Sequence, residues 1–391
     1  MDEIIAASVE NVVALRRHLH RYPELGWQEF KTQRHLHDWL EERGMRARRC
    51  ASTGLVSDVG PDKPRVIYRG DIDALPIQEE KADDVPYVSE HDGVCHACGH
   101  DVHAAVAAGL GWVFHQLGDA LPGGLRVVLQ PAEEVVPSGA EAMIREGAAA
   151  GISAALALHV DPTRDVGAVG VRVGPLTSAT DTFSIRIVGT EGHSARPHLA
   201  HDAVLASADL VRSLYTLVSQ RVSPLVPAVL NVGTIQGGSA KNVIAGECLL
   251  EGVIRTLDLD VRARLHGEIR DMADAVARMH HCEAQCVINT GAPPVMNDAG
   301  LDAVVSEAAA DVIGQENVQR IELPSTGAED FGMFGIHMPT YMMRLGVRPP
   351  GGATHHLHTP QFDVDEAALG HAMRIMGRAA LKTIDRVSPS Y

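Results

Sequence analysis

The amino-terminal part of the chain alternates short apolar runs with helical patterns. GLVSDVG, RVIYRGDID, LRVVLQPAEE and AALALHV are predicted strands, and a helix is predicted from about His100 to Leu117. Apolar strands that alternate with helices indicate an α/β domain with a largely parallel central sheet. The same alternation returns after Asn297 and ends with a helix predicted from about Asp365 to Asp385.

The middle of the chain has a different period. DTFSIRIVG alternates apolar and polar residues, as expected of a strand with one exposed face. Two long helices, two further strands between them and a last strand follow, which gives the β-α-β-β-α-β order of a ferredoxin-like module. We therefore expect a discontinuous α/β catalytic domain at 1–179 and 293–391, with a smaller ferredoxin-like α+β lid or dimerisation domain inserted at 180–292.

Composition and charge narrow the function. The 391 residues suit two domains, and 45% hydrophobic with 21% charged residues is ordinary for a soluble globular protein. With 34 basic against 50 acidic residues the net charge is −16, so neither nucleic acid nor an anionic membrane is an expected partner. The sequence has neither a recognisable secretory signal nor an apolar run of membrane-spanning length, and we expect a cytoplasmic protein.

The segment CHACGHDVH, residues 95 to 103, concentrates side chains that bind metals. Cys98 and His100 lie at a strand-to-helix junction, where both can converge on one point. A thiolate with an imidazole suits zinc or a similar divalent ion. His96 and His103 are expected to be hydrogen-bonding neighbours more often than ligands.

Two other interpretations of the cysteines stay open at this point. Cys95 and Cys98 form a Cys-x-x-Cys pair, which is also the pattern of a redox dithiol. The same pair could form a structural zinc site with Cys282 and Cys286, although such sites are usually more compact in sequence.

Further polar residues follow the predicted strands. Glu133 and Glu134 come directly after one strand, and His159 is placed at the carboxyl end of another. Ligands of open α/β sheets gather outside the carboxyl ends of the strands, so Glu134 and His159 are expected to face one crevice. Neighbouring side chains on a turn should diverge, so that one glutamate binds a metal while the other holds the attacking water.

Two more segments supply candidates. Asp73 follows a strand and is expected to accept the second N–H of a ligating histidine, which fixes its tautomer; a turn-capping role is equally open. Near the carboxyl terminus THHLHTPQFD offers His355, His356 and His358, one of which is needed to complete a set of five ligands.

Taken together, several motifs resemble one family. LRRHLHRYPELGWQE, RGDIDALPI, HACGHDVHAA, LQPAEE, LALHV, GTEGHSARPH, GAEDF and LHTPQFDVDE occur in the order found in the hippurate hydrolase and indole-acetyl-amino-acid hydrolase group. That group is the amidohydrolase branch of the aminoacylase and carboxypeptidase metallopeptidases. The resemblance extends from about Val13 to Asp365.

The resemblance implies a fold, a metal centre and a base. The fold would be a zinc-peptidase-like α/β domain with a smaller ferredoxin-like lid, and the cofactor two divalent ions of manganese, zinc, cobalt or nickel. Glu133 would be the catalytic base, with Asp73 beside the ligands. The implied metal ligands are Cys98, His100, Glu134, His159 and His358.

The resemblance also implies roles for residues of the inserted domain. His193 matches a lid histidine that reaches the active site of the same or of a partner subunit, and Asn242 and Arg255 match residues that hold or support the substrate carboxylate. The expected reaction is hydrolysis of N-acyl amino acids of the hippurate, N-acetyl or aryl-acetyl type, in a homodimer or larger homo-oligomer formed through the lid. The alternatives are a dipeptidase or aminoacylase of the same family and, from another class, a non-catalytic metal-containing binding protein.

Overall fold

The computed structural model describes residues 1–81, 85 and 87–387. The chain divides into two compact units. The larger unit contains Met1–Leu176, Val295–Leu323 and Asp330–Tyr391, and the inserted unit contains Thr177–Pro294 together with Pro324–Glu329. Each unit has its own hydrophobic core.

The helices and strands follow one another in three stretches. The first stretch contains α1 (Asp2–Arg21), α2 (Phe30–Glu41), β1 (Ala47–Cys50), β2 (Gly54–Val59), β3 (Pro64–Asp71), α3 (His100–Leu117), β4 (Gly124–Gln130), α4 (Gly139–Arg145), β5 (Ala154–Asp165), β6 (Val169–Val171) and β7 (Gly174–Pro175). The second contains β8 (Ala179–Val188), β9 (Gly192–His193), α5 (Ala203–Arg221), β10 (Ala228–Gly237), β11 (Val243–Ile244), β12 (Glu247–Thr256), α6 (Leu259–Met279) and β13 (Glu283–Asn289). The last contains β14 (Met296–Asn297), α7 (Ala299–Ile313), β15 (Val318–Arg320), β16 (Thr340–Arg348) and α8 (Ala367–Val387).

The larger unit is built on a mixed sheet. Its main strand order is β1-β2-β4-β3-β5-β16-β14-β7, and β6 and β15 pair beside β16. The central neighbours β4, β3, β5 and β16 are parallel to one another. Their carboxyl ends therefore meet at one edge of the sheet, which is where ligand sites of such sheets form.

Both faces of this sheet are buried. Along β3, Val66 and Tyr68 belong to the core formed with α1, α3, α7 and α8, whereas Ile67 belongs to a second core formed with α4 and residues 330–338. Burial on both faces explains why β4 and the first half of β5 have almost continuous apolar sequences.

The inserted unit contains an antiparallel sheet in the order β10-β12-β8-β13. With α5 and α6 in the connections, this is the ferredoxin-like arrangement predicted from the sequence. β8 alternates buried and less buried residues along its length, so the helices cover one face of the sheet. β9 and β11 form a separate short pair, which the sequence pattern did not predict.

One predicted strand end is wrong. His159 was placed at the end of a strand, but β5 continues to Asp165 because β16 pairs with it as far as Arg348. Pairing with β3 stops earlier, at Ala157, so His159 still lies beyond the last residue of β5 that β3 covers. Of the helices in the described ranges, none combines the length and the apolar character that crossing a membrane requires.

Candidate metal centre

The candidate residues of the larger unit meet at the carboxyl edge of its sheet. Asp73 lies two residues beyond β3, and Glu133 and Glu134 follow β4. His159 lies within β5 next to them. Cys98 and His100 are at the start of α3, and His358 lies in the segment between β16 and α8.

Cys98 is at the centre of the cluster. Its Sγ lies 3.5 Å from His159 Nε2 and 3.3 Å from His358 Nε2. Cys98 belongs to two groups of three potential ligands, one with His100 and His159 and the other with Glu134 and His358. The ligand atoms within each group lie within 4.8 Å of one another. A thiolate shared by two groups is suitably placed to serve two cations.

The surroundings of His100 test whether a cation fits. Its Nδ1 lies 2.9 Å from the carbonyl oxygen and 3.1 Å from Oδ1 of Asp73, so Nδ1 carries a proton and Nε2 is the nitrogen that faces the two glutamates. Among the residues that the structure describes, His100 Nε2 is buried and has no hydrogen-bond partner, and it lies 3.9 Å from Glu134 Oε1. A buried ring nitrogen without a partner is costly, and a cation between it and the carboxylate would satisfy both.

The two glutamates converge instead of diverging as expected. Glu133 Oε2 lies 4.0 Å and Glu134 Oε1 3.9 Å from His100 Nε2. The turn that carries them is held by two bonds, from Ala132 N–H to Glu29 Oε1 at 2.8 Å and from Glu134 N–H to Asp73 Oδ2 at 3.0 Å. Ala132, just before the two glutamates, has a left-handed backbone (φ 52°). Asp73 therefore both orients His100 and caps this turn.

His358 is also fixed in an unusual backbone conformation. Its φ is 61°, a left-handed value that costs a non-glycine residue about 1 kcal/mol or more. The His358 N–H donates to Ala97 O at 2.8 Å, which joins this segment to the Cys98 loop. His358 Nε2 lies 3.1 Å from Glu134 Oε1. Local strain held in this way is typical of functional sites.

Gly99 allows the Cys98 loop to reach its position. Its φ is 78°, and a Cβ at this residue would lie 2.5 Å from Val160 Cγ2. A larger residue would thus be strained and would also push the loop away from β5. Glycine between Cys98 and His100 brings both ligands next to His159.

The surroundings raise the pKa of some side chains in the cluster and lower the pKa of others. Burial raises the pKa of the Cys98 thiol to about 12. Burial and the nearby Arg344 lower the pKa of His159, which favours the neutral ring. For Glu134, burial is outweighed by His358 and His100, and the pKa is lowered. Cation binding at Cys98 must release the thiol proton, so it is coupled to pH.

The other residues of the CHACGHDVH segment take no part in these groups. Burial raises the pKa of Cys95 to about 12, and its backbone pairs with Leu75. Burial lowers the pKa of His96 to about 4, and both of its ring nitrogens are without a hydrogen-bond partner among the described residues. All six cysteines are free thiols, and Cys282 and Cys286 belong to the inserted unit. This arrangement does not favour the redox or the structural-zinc interpretation.

A buried ionic cluster behind the Cys98 loop was missed by the sequence analysis. Arg16 Nε lies 2.6 Å from Asp101 Oδ2, and His20 connects Asp101, at 2.8 Å, to Glu79, at 2.7 Å. Asp101 is the residue after His100, so this cluster ties α1 to the first turn of α3. Arg16 and His20 lie in the LRRHLH motif, but nothing in their local pattern identifies partners that are more than 80 residues away.

The remaining predicted residues lie in the inserted unit. His193 is exposed, and its Nδ1 accepts a hydrogen bond from Ala195 N–H at 3.1 Å. Asn242 is exposed, and its carbonyl oxygen accepts from Ser194 N–H at 3.1 Å. Arg255 is half-buried and donates to Thr180 Oγ1 at 3.2 Å and to Thr326 O at 2.7 Å.

The chain is similar to known proteins over nearly its whole length. The model of the peptidase family M20/M25/M40 matches residues 67–382. N-acetyl-L-cysteine deacetylase of Bacillus subtilis (strain 168) is 36% identical over 380 residues, which cover 96% of this chain and 89% of that protein. N-acetyldiaminopimelate deacetylase of Geobacillus sp. (strain WCH70) is 38% identical over 379 residues, covering 95% and 97%. The structure of the Bacillus subtilis YXEP protein, titled a dinuclear metal binding peptidase from the M20 family, has a TM-score of 0.83 at 30% identity and covers 98% of this chain and 100% of its own.

An α/β unit that gathers thiol, imidazole and carboxylate side chains at its strand ends, together with these matches, defines a metal-dependent hydrolase. Within that class, the chain is a member of the peptidase family M20/M25/M40, in its amidohydrolase and aminoacylase branch. The resemblance stated from the motifs is confirmed, and so are the predicted fold class and the prediction of an enzyme that hydrolyses carbon–nitrogen bonds with a divalent metal.

Proposed function

We propose that this enzyme uses two divalent ions to hydrolyse the amide bond of N-acyl amino acids, giving a carboxylic acid and a free amino acid. The observation that carries the proposal is the convergence of five potential ligands around Cys98, with Glu133 beside them. Cys98, His100, Glu134, His159 and His358 would hold the ions. Divalent ions in such a site supply a Lewis acid for the scissile carbonyl and lower the pKa of water.

Glu133 is proposed as the general base. Its Oε2 is at the edge of the ligand group, 4.0 Å from His100 Nε2. A carboxylate there can take a proton from the attacking water and return it to the departing nitrogen. Such a shuttle typically contributes about 10²- to 10⁴-fold to the rate. Asp73 supports it indirectly, since its two oxygens hold His100 and the glutamate turn in one arrangement.

His193, Asn242 and Arg255 are proposed to act on the substrate. Because His193 Nδ1 accepts from Ala195 N–H, the neutral ring carries its proton on Nε2 and can donate a hydrogen bond there. A donor of this kind stabilises the oxyanion that forms at the substrate carbonyl. Asn242 and Arg255 supply an amide and a guanidinium, which suit a substrate carboxylate.

The names of two relatives support the substrate class. The Bacillus subtilis and Geobacillus proteins are both named as deacetylases of N-acetylated amino acids. An acetyl, benzoyl or indole-acetyl group would be hydrolysed by the same chemistry, so pocket shape decides among them. Manganese, zinc, cobalt and nickel are all compatible with this mixture of sulfur, nitrogen and oxygen ligands.

A substrate and metal panel tests the proposal. The purified enzyme, stripped with a chelator, is reloaded in turn with manganese, zinc, cobalt and nickel. It is then assayed with N-acetyl, N-benzoyl and N-indole-acetyl amino acids and with dipeptides. Metal-dependent release of free amino acid from an N-acyl substrate supports the proposal. Activity on dipeptides alone would favour the dipeptidase alternative, and full activity of metal-free protein would refute the metal centre.

We further propose a homodimer or larger homo-oligomer formed through the inserted unit, in a reducing compartment such as the cytoplasm. The support for the compartment is that all six cysteines are free thiols. Light scattering of the full chain, compared with a variant carrying charged substitutions on the open face of the inserted sheet, tests the oligomeric state. A monomeric wild type would contradict this part of the proposal.

A further inference from the structure

Asp71 and His103 form a buried pair directly behind the ligand cluster. His103 Nδ1 lies 2.6 Å from Asp71 Oδ1, and both side chains are almost completely inaccessible to solvent. On the other side of the ring, Val160 N–H donates to His103 Nε2 at 3.0 Å. Val160 is the residue after His159. The pair therefore reaches the backbone that carries a candidate ligand.

These contacts define the tautomer of His103. Nε2 accepts from a backbone N–H, so it carries no proton. Nδ1 faces a carboxylate, so it carries the single proton of a neutral ring. Both ring nitrogens of His103 are thus engaged within the protein, which leaves no lone pair with which to bind a cation.

Val160 connects the Asp71–His103 pair to His159. Its carbonyl oxygen lies 2.8 Å from His159 Nδ1 and accepts the proton there. His159 Nε2 is consequently the unprotonated nitrogen, and it is directed to Cys98 Sγ at 3.5 Å. Val160 thus accepts a hydrogen bond from His159 with its carbonyl oxygen and donates one to His103 with its N–H.

Asp71 is itself rigidly held. Arg69 Nη1 donates to Asp71 Oδ2 at 2.6 Å, and Arg69 Nη2 donates to Asp330 Oδ1 at 2.8 Å. Gln130 joins the same group through Arg69 and Asp330. Asp71, His100 and His103 do lie close enough to resemble a third ligand group. The guanidinium already neutralises Asp71, however, so this group is poorly suited to a cation.

The backbone is shaped for this contact. A Cβ at Gly70 would lie 2.4 Å from the carbonyl oxygen of His103. Only glycine therefore lets β3 approach α3 closely enough for Asp71 to reach the His103 ring. This packing constraint is independent of the hydrogen bonds and points to the same pair.

We propose that Asp71 and His103 are positioning residues that fix the orientation and tautomer of His159 through the backbone of Val160. This inference rests on the proposed metal centre, in which His159 is a ligand. Partners of a ligating histidine typically change metal affinity or activity by about 10- to 100-fold when they are removed. Here the partner acts through one intervening residue.

Two half-replacements of the imidazole provide the test. His103→Gln places an amide oxygen near the former Nε2, where it can accept from Val160 N–H. His103→Asn places its amide near the former Nδ1, where it can donate to Asp71 but cannot reach Val160. We expect His103→Asn to weaken cobalt and zinc binding by about 10- to 100-fold and to shift the visible absorption of the cobalt-loaded protein. His103→Gln keeps the contact with Val160 and loses the one with Asp71, so it should weaken binding and shift the spectrum less than His103→Asn does.

Three measurements make the test decisive: the dissociation constants by chelator competition, the number of ions bound at saturation, and thermal unfolding of the metal-free proteins. Equal affinities in all three proteins would overturn the inference, and so would equal losses in both variants. Loss of one ion at saturation in both variants would instead make His103 a ligand. If the wild type bound no metal, the proposed metal centre would fail, whereas normal wild-type binding with an unaffected His103→Asn would overturn only the positioning role.

Discussion

The two sheets of the molecule handle polar residues in opposite ways. In the larger unit β4 is buried along its whole length, so its chemistry begins only where the strand ends, at Glu133 and Glu134. In the inserted unit β8 alternates buried with less buried positions, and polar groups occur along the whole strand. A sheet covered on both faces gathers functional groups at one edge, whereas a sheet covered on one face spreads them over a surface.

This difference also separates fixed from exposed residues. His100 is held by two contacts with Asp73, and His159 by a bond to Val160 O. His193 and Asn242 are exposed. Ligands of a metal must be held closely, because small displacements weaken coordination. Residues that meet a variable substrate can tolerate more freedom, and the predictions below separate these two kinds of residue.

The largest effect is expected from Cys98, the member shared by both ligand groups. Cys98→Ala should lose bound metal and reduce activity to the background level, because one substitution disrupts both groups. Cys95→Ala is the matched control, since Cys95 is equally buried but belongs to neither group. Metal content by mass spectrometry and turnover are measured together. Similar behaviour of the two variants would revive the redox or structural-zinc interpretation.

The next effect concerns Glu133, which lies beside the proposed ligands. Glu133→Gln keeps the size of the side chain but removes the base, so kcat should fall by about 10²- to 10⁴-fold. Metal content should stay near that of the wild type. Glu134→Gln is the comparison, because the neighbouring residue is a proposed ligand and its variant should lose metal. Loss of metal in Glu133→Gln would contradict its role as a base.

The fold could be predicted where periodicity was strong. α3 has the predicted bounds, His100–Leu117, and α6 (Leu259–Met279) is the second of the two long helices predicted in the middle of the chain, because apolar periodicity is a local property of the sequence. The end of β5 was wrong, since its last residues are strand only through pairing with β16. Pro324–Glu329 belongs to the inserted unit, although residues 295–323 separate it from the main segment of that unit. The local sequence contains no pattern from which this could be predicted.

The candidate site could likewise be predicted only in part from the sequence. Residues at strand ends could be grouped, because parallel strands bring their carboxyl ends together. Asp73 was predicted as a supporting partner and does contact His100, but the other partners could not be predicted, since Arg69 meets Asp330 and Arg16 meets Asp101 across long stretches of sequence. The pairing of Asp71 with His103 likewise depends on the approach of α3 to β3 at Gly70, which only the folded chain reveals.

A smaller effect is expected for His193, an exposed residue of the inserted unit. His193→Ala should lower kcat by about 10²- to 10³-fold if His193 donates to an oxyanion, and metal content should not change. His198→Ala is the control, because His198 is also exposed and lies in the same segment. Unchanged kcat in His193→Ala would end this role.

Mixing His193→Ala subunits with Glu133→Gln subunits shows where His193 acts. Partial restoration of activity in the mixture would mean that it serves a partner subunit. If mixed oligomers are demonstrated and activity stays absent, His193 acts within its own subunit. Either result sharpens the contrast between ligands fixed inside one unit and residues presented on another.

The last prediction concerns stability, and it compares two ion pairs on opposite faces of the inserted sheet. Asp181 lies on the helix-covered face, where Arg262 and His266 contact its carboxylate, whereas Arg186 and Glu247 pair on the open face with about half of each side chain exposed. Arg262→Met should lower the free energy of unfolding by about 3 kcal/mol, since it leaves a buried carboxylate with weaker partners. Arg186→Met should leave the unfolding midpoint unchanged, because exposed pairs contribute little.

The pH dependence of this difference follows from Asp181. Burial opposes its ionisation, but Arg262, the Gly291 N–H and His266 outweigh burial and lower its pKa. A carboxyl whose pKa is lower in the folded state stabilises the fold above its unfolded pKa of about 3.9, and this contribution is lost as the pH falls further. Urea unfolding at pH 7 should therefore separate wild type from Arg262→Met, and the gap should narrow below about pH 4. A gap that stayed constant with pH would mean that Arg262 stabilises the inserted unit by packing and not by charge.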